Sequence, residues 1–306
     1  MLDWEELLIS LCYKVCDLYE NDLVWYAQRF SRNVEAQDAG FLDVEAITVY
    51  FFGIIKKKKE VKEIYDYCID HFLSWFPKLP SYQKFNERLN WLSPALFRMA
   101  VCLMNEIEPP DWLRDTWQQL QEAVVDSMPI IMAKGSRADA AKVARDIANK
   151  GFCSSKKLWY HGVKLHNLGL CCPSKMPVPS HIVLSKASEN DDTVFKEQIA
   201  PNFRNLRVFA DKIYHDEAAA AELKAIWNIE MVPCQKRKKG QKNLESDQKL
   251  MNTMVSQIRQ PIESFFNWLQ EKTGIQTASK VRSTAGLLKH VFGRLAAALF
   301  ILIHSL

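Results

Sequence analysis

The sequence predicts an α+β protein: a helical domain over residues 1–115, then a domain with a mixed sheet flanked by helices over residues 116–306. In the first region, apolar residues recur at spacings of three and four, as on one face of a helix. In the second, apolar runs of strand length come first in succession and then alternate with helical patterns. A chain of 306 residues, 48% of them hydrophobic, is long and apolar enough to form two such cores.

We predict three helices in the first region, at residues 44–55, 61–76 and 82–92. Pro77 and Pro80 stop the second helix because proline lacks a backbone N–H and clashes with the preceding turn. Ser81 is placed to cap the third helix.

The third helix has a polar face that includes Lys84, Asn86 and Arg88. A helix, a short turn and a polar-faced helix are the order of elements in helix-turn-helix modules, so we predict a helix-turn-helix-like DNA-binding domain in which these three residues contact DNA. An ordinary helical bundle whose polar residues face water fits the same pattern.

Pro109 and Pro110, with residues 112–121, mark a hinge into the second region. There we predict strands at 123–131, 157–165 and 181–184, a helix at 194–203, a strand at 206–210, a helix at 216–227 and a strand at 230–233. Successive strands followed by strands that alternate with helices predict a mixed sheet.

The positive charge is concentrated near the C-terminus. Between Lys236 and Arg294 there are 12 Lys/Arg and 4 Asp/Glu, whereas the whole chain carries a net charge of only +4. This basic region predicts a polyanionic partner. The cluster Lys236, Arg237, Lys238 and Lys239 is expected to contact DNA phosphates, although a solvated charge run has the same composition.

Eight cysteines are scattered along the chain, several within apolar runs, which favours free thiols in a reducing cytoplasm. The longest purely apolar run, residues 295–303, is well short of the roughly 20 residues that span a bilayer. It is therefore interpreted as a core or docking helix, and no membrane association is predicted.

Three acidic residues stand where catalytic carboxylates are expected. Asp126 and Asp211 each follow an apolar strand-like run, and Glu263 lies on a late helix. Carboxylates suit Mg²⁺ or Mn²⁺ because these hard cations prefer oxygen ligands, and several carboxylates are needed to hold two ions. We predict that all three bind two metal ions per active site, although a lone Asp at a strand end is often only a turn or cap residue.

Arg259 lies one helical turn before Glu263, and therefore on the same side of the predicted helix. It is expected to hold a DNA phosphate beside the metals, while a surface ion pair with Glu263 is the simpler alternative. Pro261 predicts either a kink in this helix or the start of a new one.

Four segments resemble, in this order, the DDE transposases of bacterial insertion sequences: DSMP at 126–129, YHGVKLH at 160–166, ADKIY at 210–214, and Arg259 four residues before Glu263. Residues 43–92 resemble the N-terminal region of one compact branch of that family. The resemblance implies a ribonuclease-H-like catalytic domain and a Mg²⁺-dependent enzyme, cytoplasmic and associated with the nucleoid. Such an enzyme binds the terminal inverted repeats, cleaves the element ends and joins them to target DNA, as a homodimer on paired ends.

The family signature Tyr-x-x-Arg-x-x-x-Glu-x-x-x-x-x-x-Lys is matched only at its Arg and Glu. Ser256 replaces the Tyr and Gln270 replaces the Lys, with Lys272 two residues later as a substitute DNA contact. Two other functions remain open: a catalytically degenerate DNA-binding protein derived from a mobile element, and a related DNA nuclease or integrase.

His161, His166, Cys171 and Cys172 fall within 12 residues of one another, which makes a zinc site an alternative use of this segment. Adjacent cysteines and histidines on a predicted strand fit tetrahedral zinc spacings poorly.

Overall fold

The computed structural model describes residues 4–30, 40–107, 120–172, 175–237, 240–241 and 243–304. Its contacts divide the chain into two compact units. The helical unit comprises Met1–Glu106, Lys142–Asp146 and Leu269–Leu306, and the sheet unit comprises Ile107–Ala141 and Ile147–Trp268. Most of the predicted hinge, including Pro109 and Pro110, lies outside the described residues.

The helices of the N-terminal region are α1 (Trp4–Leu18), α2 (Val24–Phe30), α3 (Asp43–Ile55), α4 (Val61–Phe72), α5 (Tyr82–Trp91) and α6 (Ser93–Glu106). A π-helical turn, Tyr19–Leu23, joins α1 to α2. The three predicted helices are confirmed as α3, α4 and α5. Nine of the 13 residues of α3 are buried, so this helix is inaccessible to solvent along most of its length.

The predicted helix-turn-helix geometry needs a correction. Helix α4 ends at Phe72 rather than at residue 76, so residues 73–81 connect it to α5. That link is longer than the turn of three or four residues in helix-turn-helix modules. Ser81 does occupy the N-cap position of α5, but its side chain makes no capping hydrogen bond.

The elements of the second region are β1 (Gln121–Lys134), α7 (Ser136–Ala140), β2 (Asn149–Cys153), β3 (Leu158–Leu170), β4 (Val178–Lys186), α8 (Asp191–Val194), β5 (Leu206–Ala210), α9 (Glu217–Trp227), β6 (Ile229–Pro233) and α10 (Ser246–Thr273). All five predicted strands are confirmed, and β2 is an additional one. Its sequence, Asn-Lys-Gly-Phe-Cys, lacks the apolar alternation that predicts a strand.

The strands form one mixed sheet in the order β2-β3-β1-β5-β6. Strand β4 also pairs with β3, along the same edge as β2 but at residues 163–170 of β3. Strand β3 is antiparallel to β1, β2 and β4. Strands β1, β5 and β6 run parallel. The sheet with its flanking helices therefore confirms the α+β class.

One face of this sheet covers an apolar core. Ala123 and Val125 of β1 lie in this core, packed with Phe195, Ile199 and Tyr214. Because successive side chains on a strand point to opposite faces, the residue after Val125 points away from this core.

The C-terminal helix α11 (Thr284–Ile303) belongs to the helical unit. By its contacts, Leu269–Leu306, the last part of the predicted domain of residues 116–306, belongs to the helical unit. Nearly every α11 residue from Gly286 to Ile301 is buried. The helix carries apolar residues around its whole circumference, as is typical of a core helix. Gly293 allows α11 to pack closely against Tyr50 of α3, since a Cβ at this position would lie 2.6 Å from the Tyr50 ring.

Among the described residues, α11 is the one helix long and apolar enough to cross a membrane. Its most apolar window is 83% buried inside the protein, and a core helix meets the same criterion. The interpretation of residues 295–303 as part of a core helix is thus supported by its packing.

Candidate active site

Asp126 lies within β1, on the sheet face opposite the apolar core, with Asn167 of β3 as its cross-strand neighbour. Its side chain keeps 24% of its surface exposed, and the backbone N–H of Ser127 donates to Oδ1 at 2.8 Å. Burial raises the pKa of Asp126 to about 6, against the opposing effect of Arg259. The ionised carboxylate therefore depends on a nearby positive charge.

Asp211 follows β5 directly and lies beside Asp126. Strands β1 and β5 are parallel, and Val124 pairs with Phe209. Asp126 lies two residues after Val124, and Asp211 lies two residues after Phe209, just past the end of β5. Asp211 also begins the short 3₁₀ turn Lys212–Tyr214, and its Oδ1 accepts the first backbone N–H of that turn at 2.7 Å. It therefore serves as a cap residue as well as lining the site.

Arg259 of α10 connects the two aspartates. Its Nη2 lies 3.2 Å from Oδ2 of Asp126, and its Nη1 lies 3.9 Å from Oδ1 of Asp211. The guanidinium is 9% exposed, and its Nε has no hydrogen-bond partner among the described residues. Helix α10 continues unbroken through Pro261, so it carries Arg259 to this position as one element.

Glu263 lies one turn after Arg259 on α10 and is exposed. Residues four apart share a side of a helix, so Glu263 and Arg259 point in similar directions. Within the described residues, no group of three or more His, Cys, Asp or Glu side chains forms a metal site. The structure thus brings Asp126 and Asp211 to one cation and leaves Glu263 outside that contact.

A family model described as a transposase DDE domain matches residues 117–300, more than half of the chain. The chain belongs to the DDE transposase family. This match confirms the resemblance to insertion-sequence transposases. No curated protein and no solved structure matches the chain.

A second charged network of this transposase lies on the other face of β1 and was not anticipated from the sequence. Ser127 Oγ donates to Oδ2 of Asp191 at 2.9 Å. Lys164 Nζ donates to Oδ1 of the same carboxylate and to the carbonyl oxygen of Glu189, both at 2.7 Å. Asp191 follows an Asn cap at the start of α8, so its sequence position indicates only a helix N-terminus.

Two neighbouring residues of β3, His166 and Asn167, are buried and polar, and they point to opposite faces of the sheet: His166 is paired with Ser127 and Asn167 with Asp126. His166 Nε2 lies 2.8 Å from Ser185 Oγ, and burial lowers the pKa of His166 to about 4. Asn167 is fully buried, and neither polar atom of its side chain has a partner among the described residues. Such orphaned polar groups are uncommon in folded proteins, so this place next to Asp126 calls for another polar partner.

The predicted DNA-binding residues of α5 differ in their surroundings. Arg88 pairs with Asp43 at 3.3 Å and donates to the carbonyl oxygen of Phe41. Asn86 Oδ1 accepts from Lys289 Nζ at 2.7 Å. Lys84 is exposed. Two of these three predicted contacts are therefore engaged inside the helical unit.

Other predicted DNA contacts lie elsewhere in the transposase. Lys236 and Arg237 are exposed, and Lys236 Nζ lies 3.5 Å from the carbonyl oxygen of His215. Lys238 and Lys239 lie outside the described residues. Lys272 is half-buried in the last turn of α10, in the part of that helix that belongs to the helical unit.

Proposed function

We propose that this transposase binds the terminal inverted repeats of an insertion sequence, cleaves DNA at the element ends and transfers the strands to target DNA. The observation that carries the proposal is the convergence of Asp126 and Asp211 on one guanidinium. Family membership supports the reaction class, and this convergence supports the place in the sheet where it occurs.

We also propose a ribonuclease-H-like fold for the catalytic sheet. Three long antiparallel strands, β1, β3 and β4, come first along the chain with the short β2, and the parallel strands β5 and β6 then extend the sheet. The parallel strands β5 and β6 are connected by the helix α9, the usual connection between neighbouring parallel strands. Asp126 and Asp211 lie on the two neighbouring strands where the antiparallel and parallel halves meet.

The residues present fit two Mg²⁺ or Mn²⁺ ions, with Asp126, Asp211 and Glu263 as oxygen ligands. Two of these carboxylates already contact one cation, and Asn167 beside them has orphaned polar atoms. When bound, the metal ions would activate the attacking water or 3′-hydroxyl and stabilise the leaving oxygen.

The charge balance of the site supports this assignment. Asp126 and Asp211 share the single guanidinium of Arg259, which leaves one negative charge unbalanced, and the exposed Glu263 adds a second one a helical turn away. Buried or half-buried charges of one sign are costly unless they are compensated. In this proposal Arg259 balances Asp126 and Asp211 in the free protein and turns to a DNA phosphate when metal and DNA bind.

The remaining parts of the proposal concern partners and location. The helical unit would bind the element ends, with the exposed Lys84 as a contact, and the basic residues Lys236 and Arg237 would contact DNA phosphates. Two paired ends call for two catalytic sites, so we propose a homodimer on DNA. All eight cysteines are free thiols, which supports a cytoplasmic, nucleoid-associated protein.

The test is a cleavage assay on duplexes carrying the genomic sequences that flank the gene, with and without Mg²⁺. Asp126→Asn, Asp211→Asn and Glu263→Gln are each expected to lower cleavage at least about 1000-fold, since each removes a metal ligand worth several kcal/mol. DNA binding should stay nearly intact.

Asp247→Asn and Glu222→Gln are matched controls, because both residues are exposed acids of the sheet unit, away from the site. Cleavage within about tenfold of the parent protein in any of the three site variants would remove that residue from the proposed ligand set. A parent protein that binds the ends without cutting them under any metal would favour the degenerate DNA-binding protein.

A further inference from the structure

The hairpin formed by β2 and β3 carries a solvent-exposed group that the proposed chemistry does not use. Phe152 and Trp159 are direct cross-strand partners, with ring centroids 5.2 Å apart and ring planes at 53°. They are 48% and 52% exposed. Lys150 shares their face of the hairpin, and its Nζ lies 4.7 Å from the Trp159 ring centroid. We name Lys150, Phe152 and Trp159 the aromatic platform.

The platform is not needed to hold the hairpin in place. The opposite face supplies an apolar cluster in which Cys153 and Tyr160 pack with Ile131 and Ala187. The outer edge of β2 is also anchored, since Asn149 exchanges two hydrogen bonds with Ser188, of 2.6 and 2.9 Å. Two large aromatic rings are therefore left half in water by a hairpin that is already secured.

The surroundings of the platform are basic. Within residues 134–141 and 147–159 of the sheet unit there are five Lys/Arg, which are Lys134, Arg137, Lys150, Lys156 and Lys157, against the single acidic residue Asp139. Asp139 pairs with Lys150, but both side chains remain largely exposed. Such a patch attracts a polyanion and disfavours a second copy of the same positively charged surface.

We propose that the aromatic platform binds unpaired bases of single-stranded DNA. This inference rests on the proposed function, in which DNA is the substrate. Every base has a flat π face, so exposed aromatic rings stack on unpaired bases regardless of sequence, and neighbouring lysines contact the phosphates. Paired bases in a duplex do not offer their faces in this way.

The position of the platform relative to the candidate site is fixed by β3. Trp159 and Asn167 are eight residues apart on this strand and share a face. At about 3.3 Å per residue they are roughly 26 Å apart, and Asn167 is the direct neighbour of Asp126. At about 3.4 Å per nucleotide, this distance corresponds to roughly eight nucleotides from the site of cleavage.

The experiment measures binding by the full-length protein in EDTA, so that no cleavage intervenes. Fluorescence anisotropy would follow a labelled 20-nucleotide oligo-dT and a labelled 20-base-pair duplex at one fixed salt concentration. The double variant Phe152→Leu with Trp159→Leu keeps apolar side chains on the hairpin and removes both aromatic rings. It should weaken oligo-dT binding about tenfold or more and change duplex binding less than about twofold.

Trp159→Phe should retain most of the oligo-dT affinity, because it preserves a stacking ring. Trp25→Ala is the matched control, since Trp25 is 69% exposed on the helical unit. It should leave both affinities unchanged. A thermal melt of each variant confirms folding.

Unchanged oligo-dT binding in the Leu double variant would overturn the proposal. So would an equal loss on both DNAs, which would indicate a phosphate contact only, or a loss of self-association in sedimentation, which would indicate a surface between two copies. Selective loss of oligo-dT binding in a protein that never cleaves DNA would support the platform and remove the proposed function.

Discussion

The sheet unit and the helical unit both bury charged side chains, but the partners of these charges differ. In the sheet unit, the guanidinium of Arg259 lies between Asp126 and Asp211. In the helical unit, Arg294 and Lys289 of α11 are buried and donate hydrogen bonds to uncharged groups. Arg294 donates to the carbonyl oxygens of Thr273 and Lys59, and Lys289 donates to Asn86.

The partners of a buried charge distinguish a functional charge from a structural one. A buried cation that is held by backbone carbonyls connects segments of chain and has no opposite charge to exchange. A cation between two partly exposed carboxylates can give way to another cation, because its partners are charged and accessible from solvent. Burial of a charge does not by itself tell a structural cation from a functional one.

The largest effect on stability is expected for Arg294→Met. Because this change leaves the buried carbonyl oxygen of Thr273 and the partly buried one of Lys59 without this donor, the free energy of unfolding should fall by about 2–4 kcal/mol. Asp126→Asn should leave the unfolding free energy unchanged or raise it, since it removes a buried negative charge. Urea denaturation of both variants measures the contrast.

Arg282→Met is the control for this comparison. Arg282 also donates to backbone carbonyls, those of Ser279 and Val281, but it is exposed. Its replacement should change stability by no more than about 0.5 kcal/mol. If Arg294→Met lowered the free energy of unfolding as little as Arg282→Met, Arg294 would not be a buried residue that connects segments of the helical unit.

Lys289 is expected to make stability depend on alkaline pH. Burial and, to a smaller extent, the nearby Arg294 together lower its pKa from 10.5 to about 8. Between pH 8 and 10.5 the unfolded chain therefore binds more protons at this residue, so stability should rise with pH in that window. The full contribution is about 3 kcal/mol.

Lys289→Met should remove this rise, and the melting temperatures of the two proteins from pH 7.5 to 10.5 would show it. The comparison between proteins cancels the titration of other groups. Lys280→Met, on an exposed lysine of the same unit, should leave the rise in place. Parallel curves for the parent protein and Lys289→Met would mean that Lys289 keeps an ordinary pKa.

The smallest effect is expected in the basic loop of the sheet unit. Lys236→Gln with Arg237→Gln should flatten the dependence of log affinity on log salt by about one to two units, since each phosphate contact contributes about 0.9. Specific and non-specific duplexes should weaken alike. Lys224→Gln, at an exposed lysine on α9, is the control, and an unchanged slope in the loop variant would place these charges in solvent.

The order and type of elements follow closely from local patterns. Helices α3, α5 and α9 begin and end within about two residues of their predicted limits, because apolar periodicity and prolines act locally. Strand β2 was missed because its pairing depends on β3 rather than on its own residues. The prediction of a short link between α4 and α5 was wrong because α4 ends at Phe72, four residues earlier than predicted.

The candidate site was only partly predictable. Asp126, Asp211 and Arg259 could be singled out because apolar runs before an acid and helical spacing are visible in the sequence, although Asp126 lies within β1 rather than at its end. The contacts of Asn86 and Arg88 inside the helical unit could not, since their partners Lys289 and Asp43 are distant along the chain. The network around Asp191 was hidden for the same reason.

The helical and extended segments, and the apolar runs before Asp126 and Asp211, can be recognised in the sequence because they depend on neighbours within a few residues. The tertiary structure alone brings one guanidinium to both aspartates and packs α11 with the helical unit. It also decided that Phe152 and Trp159 meet on an exposed face. Such contacts depend on sheet pairing and burial, which bring together residues that no local pattern connects.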